Sequence, residues 1–164
     1  MSRAQDWDAE LLQQAIAARA RAYVPYSRFA VGAALLTGDG RIFLGCNVEN
    51  ASYGLTCCAE RVAIFKAISE GVREFQAMAV VADTPEPVSP CGACRQVLVE
   101  FAPGMRLILG NLAGASRVTT PAELLPGFFG PQQMVGTGAS PEGGDGPARD
   151  AAGAKGEGSE GCAS

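Results

Sequence analysis

Residues 58–71 read CAERVAIFKAISEG, and the reading of this stretch decides the fold. Val62, Phe65, Ala67 and Ile68 fall on one side at helical spacing, and Gly71 offers the left-handed residue that closes a helix, so a helix is expected from about Cys58 to Glu70. Downstream, AMAVVAD (77–83) is a short apolar run of the kind that forms a buried strand. Pro85, Pro87 and Pro90 then break the chain before a second helix over Gly92–Phe101, and RLILG (106–110) supplies another strand. Upstream, VGAALLT (31–37) and RIFLGC (41–46) flank Gly38-Asp39-Gly40, whose Asp-Gly pair signals a β-hairpin turn. Before the hairpin, Leu11, Leu12, Ala15, Ile16, Ala18 and Ala22 recur near helical spacing from Asp8 to Ala22, and Pro25 is expected to end that helix. Helix, hairpin, helix, strand, helix, strand is the order of an α/β fold layered around one mixed sheet.

The chain has 164 residues, 48% of them hydrophobic, enough for one core and too few for two. After Phe129 the composition turns to Gly, Ala, Ser, Pro and charge, and a disordered tail is expected over 130–164. That tail holds Arg149 and Lys155 against five carboxylates, so most of the formal net charge of −4 belongs to it. No basic run exists to neutralise phosphates, which disfavours nucleic acid as a partner. No apolar stretch is long enough to span a membrane, and MSRAQDWDAELLQQ (1–14) has no signal-peptide core, so a cytoplasmic protein without membrane partners is expected.

The six cysteines then become a question of chemistry, because C-x-x-C spacing in such a chain points to metal or redox work. Cys91 and Cys94 start a predicted helix on nearly one side, and Cys58 opens another. Two helix starts aimed at one point stabilise thiolates through free N–H groups and helix dipoles. Three thiolates leave a fourth tetrahedral position open, as in a catalytic zinc site. Against this stand two plainer readings: a redox C-x-x-C, and buried cysteines acting as small hydrophobes. The chain has no histidine, which leaves Glu60 as the natural proton carrier beside Cys58. Arg61 follows as a donor to the sulfurs or as an ordinary surface arginine.

NVENASYGLTCCAERVAIF (47–65), with PCGACRQVLVEF (90–101) downstream and YSRFAVGAAL (26–35) upstream, closely resembles the homotetrameric cytidine deaminases of the C-x-E zinc type. The resemblance covers about Ala9 to Phe129 and implies a catalytic domain over 1–129. It implies a three-layer α/β fold, a mixed five-stranded sheet with helices on both faces. It further implies that Cys58, Cys91 and Cys94 hold Zn²⁺, that Glu60 carries the proton from the attacking water to the base and to the departing amine, and that cytidine and 2′-deoxycytidine become uridine and 2′-deoxyuridine in pyrimidine salvage. Asn47 and Glu49 match positions that hydrogen-bond the ribose hydroxyls, although an Asn-rich loop after a strand is also a common turn. Phe29 matches an aromatic on the pyrimidine, Tyr53 a ribose-side position, and Ala59 the backbone that meets the polar edge of the base. Phe129 matches an aromatic that reaches a neighbouring subunit's site, with Phe128 departing from the family's small residue there. Cys57 is a second thiol beside Cys58, but only Cys58 fits the spacing C-A-E-R. A deaminase for a cytosine-nucleoside antibiotic such as blasticidin S shares the thiols and the glutamate, a non-catalytic zinc-binding interaction module is the alternative outside enzymes, and an RNA or DNA deaminase ranks below both.

Overall fold

The computed structural model describes residues 3–134; of the disordered tail expected over 130–164, Pro131–Met134 instead form a 3₁₀ turn, and the rest lies outside the described residues from 135 onward. The helix α1 spans Arg3–Arg19. Leu11, Ala15 and Ala18 form its buried stripe at intervals of four and three. It ends sooner than Pro25 would require. Arg21 and Ala22 donate to Ala18 and Arg19 in a tightening turn, and Tyr23 is then captured by backbone bonds to Asn47 and Glu49.

Strands β1 (Val31–Thr37) and β2 (Ile42–Cys46) form the expected hairpin, with Gly40 in the left-handed region at φ 86°. Helix α2 (Ala59–Ser69) leads through Gly71, also at φ 86°, to β3 (Phe75–Ala82). Helix α3 (Gly92–Phe101) crosses over to β4 (Arg106–Asn111). The sheet order is β2-β1-β3-β4, continued by an edge strand β5 (Ser116–Thr119). The β3–β4 pair is parallel, running from Ala77 opposite Arg106 to Ala82 opposite Asn111, and the other pairs are antiparallel. A parallel pair needs a crossover, and here α3 supplies it.

Helices cover both faces. On one face α1 packs Leu11 and Ala15 against Ala34, Leu36, Ala79, Val81 and Ile108. On the other, Ala63, Ile64 and Leu98 of α2 and α3 pack against Ala33, Leu35, Met78, Val80, Leu107 and Leu109. The alternation along each strand sorts its residues between the two cores. The chain therefore has the three-layer α/β architecture, with the fifth strand that the residues alone did not reveal.

The face of α2 differs from the sequence expectation. Its buried residues are Ala59, Glu60, Ala63, Ile64 and Ala67, while Phe65 is 43% exposed and Val62 half-buried. Close approach is the cause. A Cβ on Gly45 of β2 would lie 2.2 Å from the Ala59 carbonyl oxygen and 2.7 Å from the Ala63 nitrogen, so only small side chains fit between this helix and the sheet. Beyond β5, Thr120 and Glu123 close a reciprocal capping box on the one-turn helix α4 (Pro121–Leu124), which leads to Phe128 and Phe129.

Candidate metal and substrate site

Cys58 and Cys91 occupy equivalent places, each the N-cap of a helix. Both have extended backbone (φ −73°, ψ 157° and φ −68°, ψ 167°), and neither thiol caps its own helix. Their carbonyls accept the first helical bonds, from Val62 and Arg95, so the thiols are free to turn toward each other. The two Sγ atoms lie 3.8 Å apart. Cys94, fully buried one turn into α3, completes a set whose three Sγ atoms lie within 4.8 Å of one another.

The electrostatics of the set suit a divalent cation. Cys94, Arg61 and Cys91 donate toward the Cys58 sulfur and hold its thiol well below the usual range, while the same Cys58 contact and burial push Cys94 upward. A cation that displaces the protons satisfies all three sulfurs at once. The surplus negative charge of three thiolates has a neighbour to offset it. Arg61 Nη2 lies 3.7 Å from Cys58 Sγ and donates to the Thr56 carbonyl at 2.9 Å, while its Nε is buried without a hydrogen-bond partner. The three-thiol donor set and this spare donor fit zinc. Arg61→Ala should weaken zinc affinity by about 10–100-fold, measured by competition with a chromogenic chelator, whereas a surface arginine would change nothing.

Glu60 is 4% exposed, in the first turn of α2 beside the thiols. Burial, with a smaller push from the Cys58 charge, raises its carboxyl to about 7, against opposition from its own backbone N–H and, more weakly, from Cys94 and Arg61. A carboxyl poised near neutrality accepts and returns a proton with little cost either way. Cys57, one residue before Cys58, instead pairs its backbone with Val48, and burial raises its thiol. Cys46 is half-buried, its Sγ donating to the Arg21 carbonyl.

A second group of residues gathers around the chain reversal before β1. The Glu49 carboxylate accepts the N–H groups of Tyr26 at 2.9 Å and Ser27 at 3.2 Å, and the Ser27 side chain and these bonds hold it below the usual carboxylate range. Arg28 adopts φ 56° there, a strained conformation for a residue with a side chain. Asn47 is buried, accepting from Val31 N–H and donating to the Phe29 carbonyl, both at 2.8 Å. One N–H and one lone pair of its amide remain for a ligand. Tyr26, Ser27, Glu49, Tyr53 and Thr56 line a cavity of about 250 Å³, and the Tyr26 and Tyr53 rings meet edge to face at 5.6 Å. Thr56 links this lining to the thiols at one remove, since Arg61 holds the Thr56 carbonyl and lies 3.7 Å from Cys58 Sγ.

Phe29, Tyr53 and Phe129 are exposed, Phe129 at 61%. Ala59 is buried at the first position of α2, between Cys58 and Glu60. The Phe129 carbonyl is held by Gln96. Three polar residues near the site escaped the sequence reading. Asn111 is buried at the end of β4, where its amide donates to the carbonyls of Thr84 and Pro85 and so ties down the start of the loop that delivers Cys91. Arg95 and Gln96 bond to carbonyls about thirty residues distant, and no local spacing signals such bonds.

Residues 5–110 match the family model of the cytidine and deoxycytidylate deaminase zinc-binding region. The cytidine deaminase of Sporosarcina psychrophila is 58% identical over 126 residues, covering 76% of this chain and 93% of that protein. That of Halalkalibacterium halodurans is 60% identical over 125 residues, covering 76% and 95%. The crystal structure of cytidine deaminase from Burkholderia pseudomallei superposes with a TM-score of 0.73 at 52% identity, covering 79% of this chain and all of that one.

Proposed function

Because the chain belongs to the cytidine and deoxycytidylate deaminase family, we propose that it deaminates cytidine and 2′-deoxycytidine hydrolytically, a step of pyrimidine salvage, with Glu60 as proton carrier. The observation that carries this reading is the buried carboxyl of Glu60 beside three convergent thiols. Cys58, Cys91 and Cys94 would hold Zn²⁺. Bound there, zinc supplies Lewis acidity that brings the pKa of water toward ~7.

The residues of the chain do the rest. Glu60 takes a proton from water as its oxygen bonds to C4 of the cytosine ring, and gives that proton to N3. It then takes the second proton of the added hydroxyl and delivers it to the amino group as the C4–N4 bond breaks. Water and cytidine become uridine and ammonia, and Glu60 ends as it began. The backbone at Ala59 meets the polar edge of the base, and Phe29 packs on the pyrimidine. Asn47 and Glu49 hold the ribose hydroxyls, with Tyr53 beside them. A site built to hydrogen-bond those hydroxyls disfavours a free base, because its polar groups would be left unpaired.

The chain works as a homotetramer in which Phe129 enters a neighbour's site. Support comes from the exposure of Leu55 and of the aromatic side chains of Tyr26, Phe29, Tyr53, Phe65 and Phe129, apolar surface of the kind that subunit interfaces cover. The catalytic domain occupies residues 1–129 and the Gly-rich segment 130–164 forms the tail. No helix among the described residues is long and apolar enough to cross a membrane, and the place of work is the cytoplasm. Nucleic acid is not a partner.

The test is the ultraviolet change as cytidine becomes uridine. Purified protein loaded with zinc should catalyse it, chelation should abolish it, and added zinc should restore it. If zinc binds and cytidine is untouched, the substrate assignment fails and a blasticidin-type nucleoside becomes the compound to try.

A further inference from the structure

The guanidinium of Arg95, next in sequence to Cys94, spreads over three acceptors. Nε donates to the Pro90 carbonyl at 2.9 Å, Nη2 to the Ser89 hydroxyl at 3.0 Å, and Nη1 to the Leu124 carbonyl at 2.9 Å. Ser89 and Pro90 immediately precede Cys91. Leu124 ends α4 and begins the run to Phe129. One residue further along α3, Gln96 Nε2 donates to the Phe129 carbonyl at 2.8 Å.

Consecutive residues of α3 therefore do three things: Cys94 joins the thiol cluster, Arg95 braces the turn carrying Cys91 against the end of α4, and Gln96 fastens Phe129. The bonds from Arg95 are charge-assisted, and a planar fork with fixed donor directions is what reaches acceptors on two separate segments. The far end of the 83–90 loop is anchored independently, by Asn111 on Thr84 and Pro85. Loss of Arg95 would therefore loosen the Cys91 end while leaving the loop attached to the sheet.

We propose that Arg95 and Gln96 are positioning residues that lock the Cys91 ligand turn and the Phe129 segment into one unit, so that a single helix sets both its own subunit's metal site and the aromatic wall that Phe129 lends to a neighbour's nucleoside pocket. The proposal rests on the functional reading above for zinc as the metal and Phe129 as the wall.

Arg95→Ala, Arg95→Lys and Gln96→Ala should be compared in the full chain by zinc affinity against a chromogenic chelator, by KM and kcat for cytidine, and by Tm of the zinc-free protein. Arg95→Ala should weaken zinc by about 10–100-fold, the range for a residue that orients a ligand without touching the metal, and raise KM. Arg95→Lys keeps the charge but not the fork, and should stay within a few-fold of the alanine variant. Gln96→Ala should keep zinc affinity and raise KM by about tenfold, on the scale of one hydrogen bond, with the change falling on KM rather than kcat. Unchanged zinc affinity in Arg95→Ala with only a lower Tm overturns the first half, as does full rescue by lysine. An unchanged KM in Gln96→Ala overturns the second. Should Arg95→Ala fail to fold, Arg95→Lys decides the zinc arm. That arm needs no substrate, so wild-type inactivity on cytidine would defeat the functional reading while the zinc affinities still decided the role of Arg95.

Discussion

Glu60→Gln should bind zinc and melt like the wild type while losing about two to four decades of turnover on cytidine, the range for removing a positioned acid/base. That loss corresponds to about 3 to 5 kcal/mol of transition-state stabilisation. The substitution keeps shape and removes only the ability to exchange a proton. At 4% exposure the carboxyl has almost no water, and burial holds it near 7, so it can carry a proton at neutral pH in a way that an amide cannot. The amide is also cheaper to bury than a carboxylate, so no loss of stability is expected. The measurement is the absorbance change with matched zinc content. Retained turnover in this variant would remove Glu60 from the mechanism altogether.

Gly45→Ala should be severe for a different reason, although the glycine touches neither substrate nor metal. Its new Cβ would meet the Ala59 carbonyl oxygen at 2.2 Å, the Ala63 nitrogen at 2.7 Å and the Ala63 Cβ at 3.1 Å. Two of these are backbone atoms of α2, which have no rotamer to escape into. The helix must lift from β2, at a cost near or above the upper end of the 1–3 kcal/mol usual for overpacking. For a domain of this size that lowers Tm by on the order of 10 °C. Cys58 and Glu60 move with the helix start, and a displacement of about 1 Å at a reacting group is enough to cost a hundredfold in rate. Gly104→Ala is the control, since its added Cβ meets nothing within 4 Å. Calorimetry and turnover on both variants are the check, and a Gly45→Ala protein that matches the control in both would overturn the expectation.

The same glycine explains part of what the sequence left hidden. The existence of α2 and its stop at Gly71 were legible, because helical spacing and a left-handed glycine are local signals. Its buried face was not, because Phe65 outweighs Ala59 and Ala63 in any count of apolar residues while the contact with Gly45 admits only the small ones. β5 offered no signal at all: Ser116, Arg117 and Val118 are exposed on an edge, with no alternation to read. Strand order stayed closed for lack of any local correlate, since β1 lies between its hairpin partner and a strand nearly forty residues away. The thiols and Glu60 were legible as chemistry, and the convergence of the thiols is visible in the geometry. Asn111, Arg95 and Gln96 were illegible because they act on distant carbonyls, which carry no side-chain identity.

The two sides of α2 stand under opposite constraints. Inward, backbone meets backbone across Gly45, and even one methyl group has nowhere to go. Outward, Phe65 projects from the same helix and is 43% exposed. A change at Phe65 therefore need not shift Cys58 or Glu60, because it does not pass through the contact that seats the helix. The seat of the helix is fixed by backbone contact, while its outer side answers to whatever covers it.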